Sequence, residues 1–263
     1  MKTILLTGFE PFGGAAVNPS WLAARRLHGR TIRGHRIVAC RLPVEFGRSL
    51  SALQRQIEKV KPALVVCVGL AERRSEITPE RLAVNRDDAR IADNAGRKPA
   101  DAPIVPGGPA AYRSTLPVRA IVRALRRRGI PARVSLDAGT YVCNHVFYGL
   151  MHALAQREQG AVRPRGGFIH VPPLSRPAVP QRGARQAKAG PAGLALKTMV
   201  QALAVAVRES LQPEPPGRQC LPPAARRRLQ RDPLPNSAGA SRRSAEPHWP
   251  GSLPFTCRAT IPG

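Results

Sequence analysis

Acidic residues are scarce in this chain: 16 Asp and Glu stand against 42 Lys and Arg in 263 residues, a formal net charge of +26. Aromatic residues are scarce as well, at 4%. The charge suits polyanions, yet few flat side chains exist on which bases could stack. This disfavours specific nucleic-acid recognition and leaves non-specific, salt-sensitive polyanion binding as the expectation. No run of about 18 apolar residues occurs, so no membrane span is expected. The opening Met1–Gly8 has one basic residue and a short apolar run, which Glu10 and Pro11 interrupt. It reads as a first strand and not as a signal peptide. The five cysteines include no Cys-x-x-Cys pair, so no metal site is expected. An odd number of cysteines without a secretion signal points to a reducing cytoplasm.

Strand-like and helix-like segments alternate over residues 1–212. Thr3–Thr7, Arg36–Leu42 and Gly167–Val171 read as strands, and Ala63–Leu70 is a continuous apolar run of the kind found in a central parallel strand. Arg81–Asn85 alternates and reads as a strand near an edge, and Ala132–Leu136 reads as a further strand. Pro19–His28 reads as a helix, with Asn18 as N-cap and Pro19 at its first position. Ser49–Val60 puts Leu50, Leu53, Ile57 and Val60 on one face. Leu116–Arg128 carries basic residues in its last turn, with Gly129 just beyond. Leu194–Gln212 stripes Leu196, Val200, Leu203, Val207 and Leu211 along one side. The pattern predicts an α/β fold, a three-layer α/β/α sandwich around a mostly parallel, twisted sheet.

The composition changes after Gln212. Residues 213–263 hold 11 of the 28 prolines, and no apolar period survives. Such a segment buries too little apolar surface to offset its ordering entropy, so a disordered Pro/Arg-rich tail is expected. The expected organisation is a catalytic domain over 1–212 followed by that tail over 213–263. Pro172–Gly193 is also rich in Pro, Gly and Arg and is expected to be mobile.

Chemistry concentrates in Gly139-Thr140-Tyr141-Val142-Cys143-Asn144-His145. Val146, Phe147, Leu150, Met151 and Leu154 then follow at helical spacing, so a turn delivers Cys143 to the start of a helix. Unpaired N–H groups and the positive end of the macrodipole favour a thiolate there, and the thiolate is the nucleophile. Taken alone, such a cysteine is more readily a small buried structural residue than a nucleophile. Two further segments bear on it. Gly167–Val171 places His170 at the end of an apolar strand, and Ile77–Asn85 places Glu80 just before or within another. Strand ends and the loops after them form the crevice of an open α/β sheet. A cysteine, a histidine and a carboxylate from separate elements can act there as nucleophile, base and orienting group.

Five motifs in order resemble the pyroglutamyl peptidase I (pyrrolidone-carboxyl peptidase) family of cysteine exopeptidases. They are Gly8-Phe9-Glu10-Pro11-Phe12-Gly13-Gly14 with Asn18-Pro19; Ile77–Asn85 with Asp87–Ile91 and Asp93-Asn94; Gly107–Tyr112 with Ser114–Pro117; Gly139–His145; and Gly167–Pro172. The resemblance implies Cys143 as nucleophile, His170 as general base and Glu80 as the group orienting it. It implies Arg90, with the Cys143 backbone N–H, at the developing oxyanion, and Phe9, Phe12, Asn18 and Tyr141 at the substrate. It implies peptides with an N-terminal pyroglutamate as substrates and no metal or organic cofactor. The family is often oligomeric, which makes a homo-oligomer, dimer or tetramer, an expectation as well. Pyroglutamate is a flat, uncharged lactam without a free amine, so its pocket needs apolar walls and amide hydrogen bonds and no carboxylate.

One stretch departs from the family pattern. Gly69-Leu70-Ala71-Glu72-Arg73-Arg74 stands where Gly-Gln-Ala-Gly-Gly-Arg is usual. Glu72 and Arg73 replace glycines in a loop that could require positive φ or close approach. That loop and the net charge together support an alternative reading, a catalytically weakened homologue acting as a basic polyanion-binding protein.

Overall fold

The computed structural model describes residues 1–156, 164–175 and 193–212. The expected tail and most of the expected mobile loop lie outside the described residues. The strands are β1 (Lys2–Phe9), β2 (Thr31–Ile32), β3 (His35–Leu42), β4 (Leu64–Leu70), β5 (Thr78–Pro79), β6 (Leu82–Val84), β7 (Ala111–Arg113) and β8 (Arg165–Val171). The helices are α1 (Pro19–Arg25), α2 (Arg48–Val60), α3 (Val118–Arg126), α4 (Val142–Ala155) and α5 (Leu196–Ser210).

Six strands form one sheet in the order β2-β3-β1-β4-β8-β5, and β6 and β7 form a separate ribbon. The four central strands are parallel, while β2 and β5 are short antiparallel additions at the two edges. Helices cover both faces, which is why β1 and β4 read as nearly unbroken apolar runs. Successive side chains alternate between the faces. Ile4, Leu6, Val66, Val68, Ile169 and Val171 point to one side, where residues of α1, α3 and α5 pack on them. Leu5, Val65, Cys67 and Phe168 point to the other, where α2 and α4 pack. The same alternation sends His170 to the face of Phe168, and the two rings lie 4.9 Å apart. The histidine is thus on the side covered by the helix that begins beside Cys143.

The expected layers are present. Asn18 caps α1, accepting the Ser20 N–H at 3.1 Å. Gly129 follows α3 at φ 69°. The helix expected over Pro19–His28 stops at Arg25, and turns fill the rest as far as Gly29 at φ 76°.

Two strand expectations need correction. Arg81–Asn85 narrows to β6, which pairs with β7 outside the main sheet. Ala132–Leu136 is no strand: it meets the β5 region only in the isolated bridges Ile77↔Ala132 and Glu80↔Ser135. The reason is Pro79. The Ile77 N–H donates to the Pro131 carbonyl and the Arg81 N–H to that of Ser135. The donor due between them would be the nitrogen of Pro79, which carries no hydrogen, so the ladder breaks. Leu136 lies beyond the break and is 63% exposed.

Candidate active site

The parallel strands all end toward one edge of the sheet. From that edge β1 releases the Phe12 loop, β4 the Gly69–Arg74 loop, and β8 His170 near its last residue. Gly69 pairs directly with His170 across β4 and β8. A Cβ added at Gly69 would lie 2.8 Å from both Cys143 Sγ and Phe168 Cζ. This glycine is therefore required by close approach: its missing side chain is the space into which the sulfur fits. Glu72 and Arg73, by contrast, are exposed, and neither has positive φ. The substitutions in that loop force no left-handed backbone, which removes the conformational objection raised by the sequence.

Glu80 is fully buried, and His170 is 4% exposed. His170 Nδ1 and Glu80 Oε1 are 2.8 Å apart. An ionised carboxylate only accepts hydrogen bonds, so Nδ1 carries the proton and Nε2 is left free to take one. The Glu80 N–H in turn donates to the Phe168 carbonyl at 2.8 Å, which fixes the acid beside β8. A third member was not singled out from the sequence. Arg74 Nη1 donates to the same Glu80 Oε1 and to Thr78 Oγ1, both at 2.5 Å, and its Nη2 donates to the Asp137 carbonyl at 2.7 Å. Its only signal in the sequence was its place as the last residue of the altered loop.

Cys143 is the second residue of α4, and the cap residue Tyr141 supplies no side-chain hydrogen bond. The first N–H groups of the helix thus have no intrahelical acceptor. Burial pushes the Cys143 thiol up to about 12; the Glu80 carboxylate adds to this, and the Arg74 guanidinium opposes it. The expected thiolate preference is overridden. A helix dipole is worth at most about 2 kcal/mol, or roughly one and a half pKa units. Enclosure of the sulfur beside a carboxylate outweighs that. The resting thiol keeps its proton and needs a base to remove it. Cys67 is also pushed up to about 12, chiefly by burial.

The neighbours of Cys143 secure the start of the helix. Asn144 Oδ1 accepts the Val84 N–H, and its Nδ2 donates to the carbonyls of Val84 and Arg86. His145 Nδ1 lies 2.7 Å from Asp87 Oδ2, and its Nε2 accepts the Gly47 N–H at 3.1 Å. Reading along the sequence missed both roles, because their partners are 58 to 98 residues away.

The remaining candidates are placed differently. Phe12 is half-buried, with its ring 5.4 Å from that of Tyr141, and Phe46 closes on Tyr141 at 5.3 Å. The Tyr141 hydroxyl donates to the Ala92 carbonyl. Phe9 is 2% exposed and packs 6.4 Å from Phe168 within the core. The Asn18 amide is engaged in folding: its oxygen accepts from Ser20, and its Nδ2 donates to the Glu10 carbonyl. Arg90 is exposed and forms no hydrogen bond or ion pair among the described residues. Also among the described residues, no cluster of three or more His, Cys, Asp or Glu could hold a metal ion, and no helix is long and apolar enough to cross a membrane.

Comparison with known proteins accounts for this arrangement. A model of the pyroglutamyl peptidase family matches residues 2–213. A pyrrolidone-carboxylate peptidase from Chromobacterium violaceum is 53% identical over 211 residues, covering 80% of this chain and 93% of its own. One from Cupriavidus necator is 51% identical over 211 residues, covering 80% and 94%. Among solved structures, pyrrolidone carboxyl peptidase from Thermococcus litoralis matches with a TM-score of 0.73 at 41% identity, over 80% of this chain and 94% of its own. Pyroglutamyl peptidase I from Bacillus amyloliquefaciens matches at 0.71 and 43% identity, over 80% and 97%. With four-fifths of its length matched by these relatives, the chain belongs to the pyroglutamyl peptidase family.

Proposed function

We infer that this chain is a cysteine exopeptidase that removes an N-terminal pyroglutamyl residue from peptides. The observation that carries this reading is the buried His170–Glu80 pair set beside the sulfur of Cys143 at the ends of the parallel strands. His170 Nε2 takes the thiol proton as the sulfur bonds to the pyroglutamyl carbonyl carbon. The negative charge moves onto the carbonyl oxygen, where the free N–H of Cys143 and the guanidinium of Arg90 stabilise it. The imidazolium then gives its proton to the departing amine, the C–N bond breaks, and a thioester remains. Water attacks that thioester, passing a proton to His170, and the thiol is released with a proton returned to sulfur.

Phe12 and Tyr141 supply the apolar wall against which the flat lactam lies. Phe9 supports that wall through the core, and Asn18 holds the loop between Glu10 and α1. Three cysteines of the described residues, Cys40, Cys67 and Cys143, are free, which fits a reducing cytoplasm. The family relation supports a homo-oligomer, dimer or tetramer, and the net charge supports salt-sensitive polyanion binding as a side property. The polyanion-binding alternative is not favoured, because the nucleophile, base and acid are all retained.

A fluorogenic pyroglutamyl amide, assayed with and without a thiol alkylator, tests the reading. Hydrolysis abolished by the alkylator is expected, and a chain that leaves the amide intact refutes it. We assign catalysis to residues 1–212, in line with a family match that ends at 213. A chain ending at Gln212 is expected to keep both the melting temperature and the activity in the same assay. Loss of either would give residues 213–263 a structural part.

A further inference from the structure

We propose that Arg74 is a positioning residue of the reaction, acting through Glu80 to keep His170 in the tautomer and charge state that can accept the thiol proton. The inference rests on the peptidase reading given above. Glu80 is fully buried, and one of its oxygens, Oε2, has no hydrogen-bond partner. A buried carboxylate without a counter-charge is costly and tends to capture a proton. Both donors to Glu80 converge on Oε1: His170 Nδ1 at 2.8 Å and Arg74 Nη1 at 2.5 Å. Arg74 is the cation ion-paired with Glu80 among the described residues, apart from His170 when protonated. Thr78 and the Asp137 carbonyl hold its other bonds, so the guanidinium is aimed from a fixed place.

The consequence is a division of labour. With Arg74 present, Glu80 stays an acceptor, Nδ1 keeps its hydrogen, and Nε2 is left without one. Without that positive charge, the buried Glu80–His170 pair holds one extra proton more tightly. Whichever of the two carries it, His170 is no longer a base. Arg74 also opposes the upward push on the Cys143 thiol, so its loss makes the sulfur harder to ionise. The titratable group coupled to both Glu80 and Arg74 is Cys143 from α4, on which Cys67 from β4 adds a smaller upward push. The Asp137 carboxylate accepts the Gly139 N–H instead.

The test compares Arg74→Gln, which keeps hydrogen-bond donors but not charge, with Arg74→Lys, which keeps charge. The readouts are the pH–rate profile on a pyroglutamyl amide and the alkylation rate of Cys143 by iodoacetamide without substrate. In Arg74→Gln, the acid limb is expected to move up by about one unit or more. kcat near neutral pH is expected to fall about 10- to 100-fold with KM little changed, and alkylation at pH 8 to slow about tenfold. Arg74→Lys should hold the limb near the wild-type position. In a Glu80→Gln background, whose buried charge is gone, Arg74→Gln should no longer move the limb, and this double variant removes the folding burden of an unpaired carboxylate. An unmoved limb in Arg74→Gln, equal shifts in the Gln and Lys variants, or an undiminished shift in the Glu80→Gln background overturns the proposal. If wild-type chain fails to cleave the amide, the peptidase reading falls. The alkylation rates still decide the role of Arg74, unchanged rates counting against it and slowed rates for it.

Discussion

Cys143→Ser is expected to lose turnover of pyroglutamyl amides by a factor on the order of 10⁴ to 10⁶, the scale on which removing a nucleophile operates. The melting temperature should stay within a degree or two, since one sulfur is exchanged for one oxygen at a half-buried site. Hydroxyl chemistry cannot compensate, because the pocket already disfavours ionisation of the more acidic thiol. Cys40→Ser is the matched control. Cys40 lies in β3, and burial pushes its thiol up too, so its loss should leave turnover intact. Equal activity in wild type and Cys143→Ser would remove the nucleophile from the mechanism.

His170→Ala should cost about 10²- to 10⁴-fold in kcat, the usual weight of a general base. The pH dependence carries more information than the size. A thiol raised to about 12 is almost wholly protonated at about pH 10 and below, so in that range its thiolate fraction climbs about tenfold per pH unit. In His170→Ala, nothing internal removes the proton, and iodoacetamide alkylation of Cys143 should climb steadily through pH 8, 9 and 10. In the wild type, His170 takes the proton as the sulfur attacks, so alkylation near neutral pH should run well ahead of that in His170→Ala. Glu80→Gln should cost less than His170→Ala, because the imidazole remains while its orientation and counter-charge are lost. The two losses should be less than multiplicative in the double variant, since they disable one unit. Equal alkylation rates near neutral pH in wild type and His170→Ala would mean that another group serves as base.

The elements that carry the layers could be read because each obeys a single period. Leu64–Leu70 is apolar throughout because both of its faces are covered, and α5 is striped because only one of its faces is. β5 could not be read: it is two residues long, one of them proline, and it exists only because β8 offers an edge some 90 residues away. The Pro79 gap that breaks the neighbouring ladder is visible only once residues 131–135 are known to lie alongside. At the site, Cys143, His170 and Glu80 were legible through ordered motifs. Arg74 was not, since a cation in a polar loop has no periodicity and its partner appears only when the loop folds back. The acidity of the thiol was misjudged for a related reason: sequence shows the helix start but not how closely Gly69 and Phe168 enclose the sulfur. Phe9 and Phe12 lie in one short motif, yet Phe9 ends β1 and packs into the core, while Phe12 lies beyond the strand in a half-buried loop.

The bonds of Asn144 and His145 have a consequence for how this enzyme ages under heat. These two residues clamp the first turn of α4 to β6, to the loop behind it and to the start of α2. The sulfur therefore has no private hinge. For it to drift out of line, two separate stretches of chain, residues 84–87 and the start of α2 at Gly47, must let go together. Loss of activity on heating is therefore expected to track the melting curve, and an activity loss well below the melting temperature would show that the first turn of α4 loosens by itself.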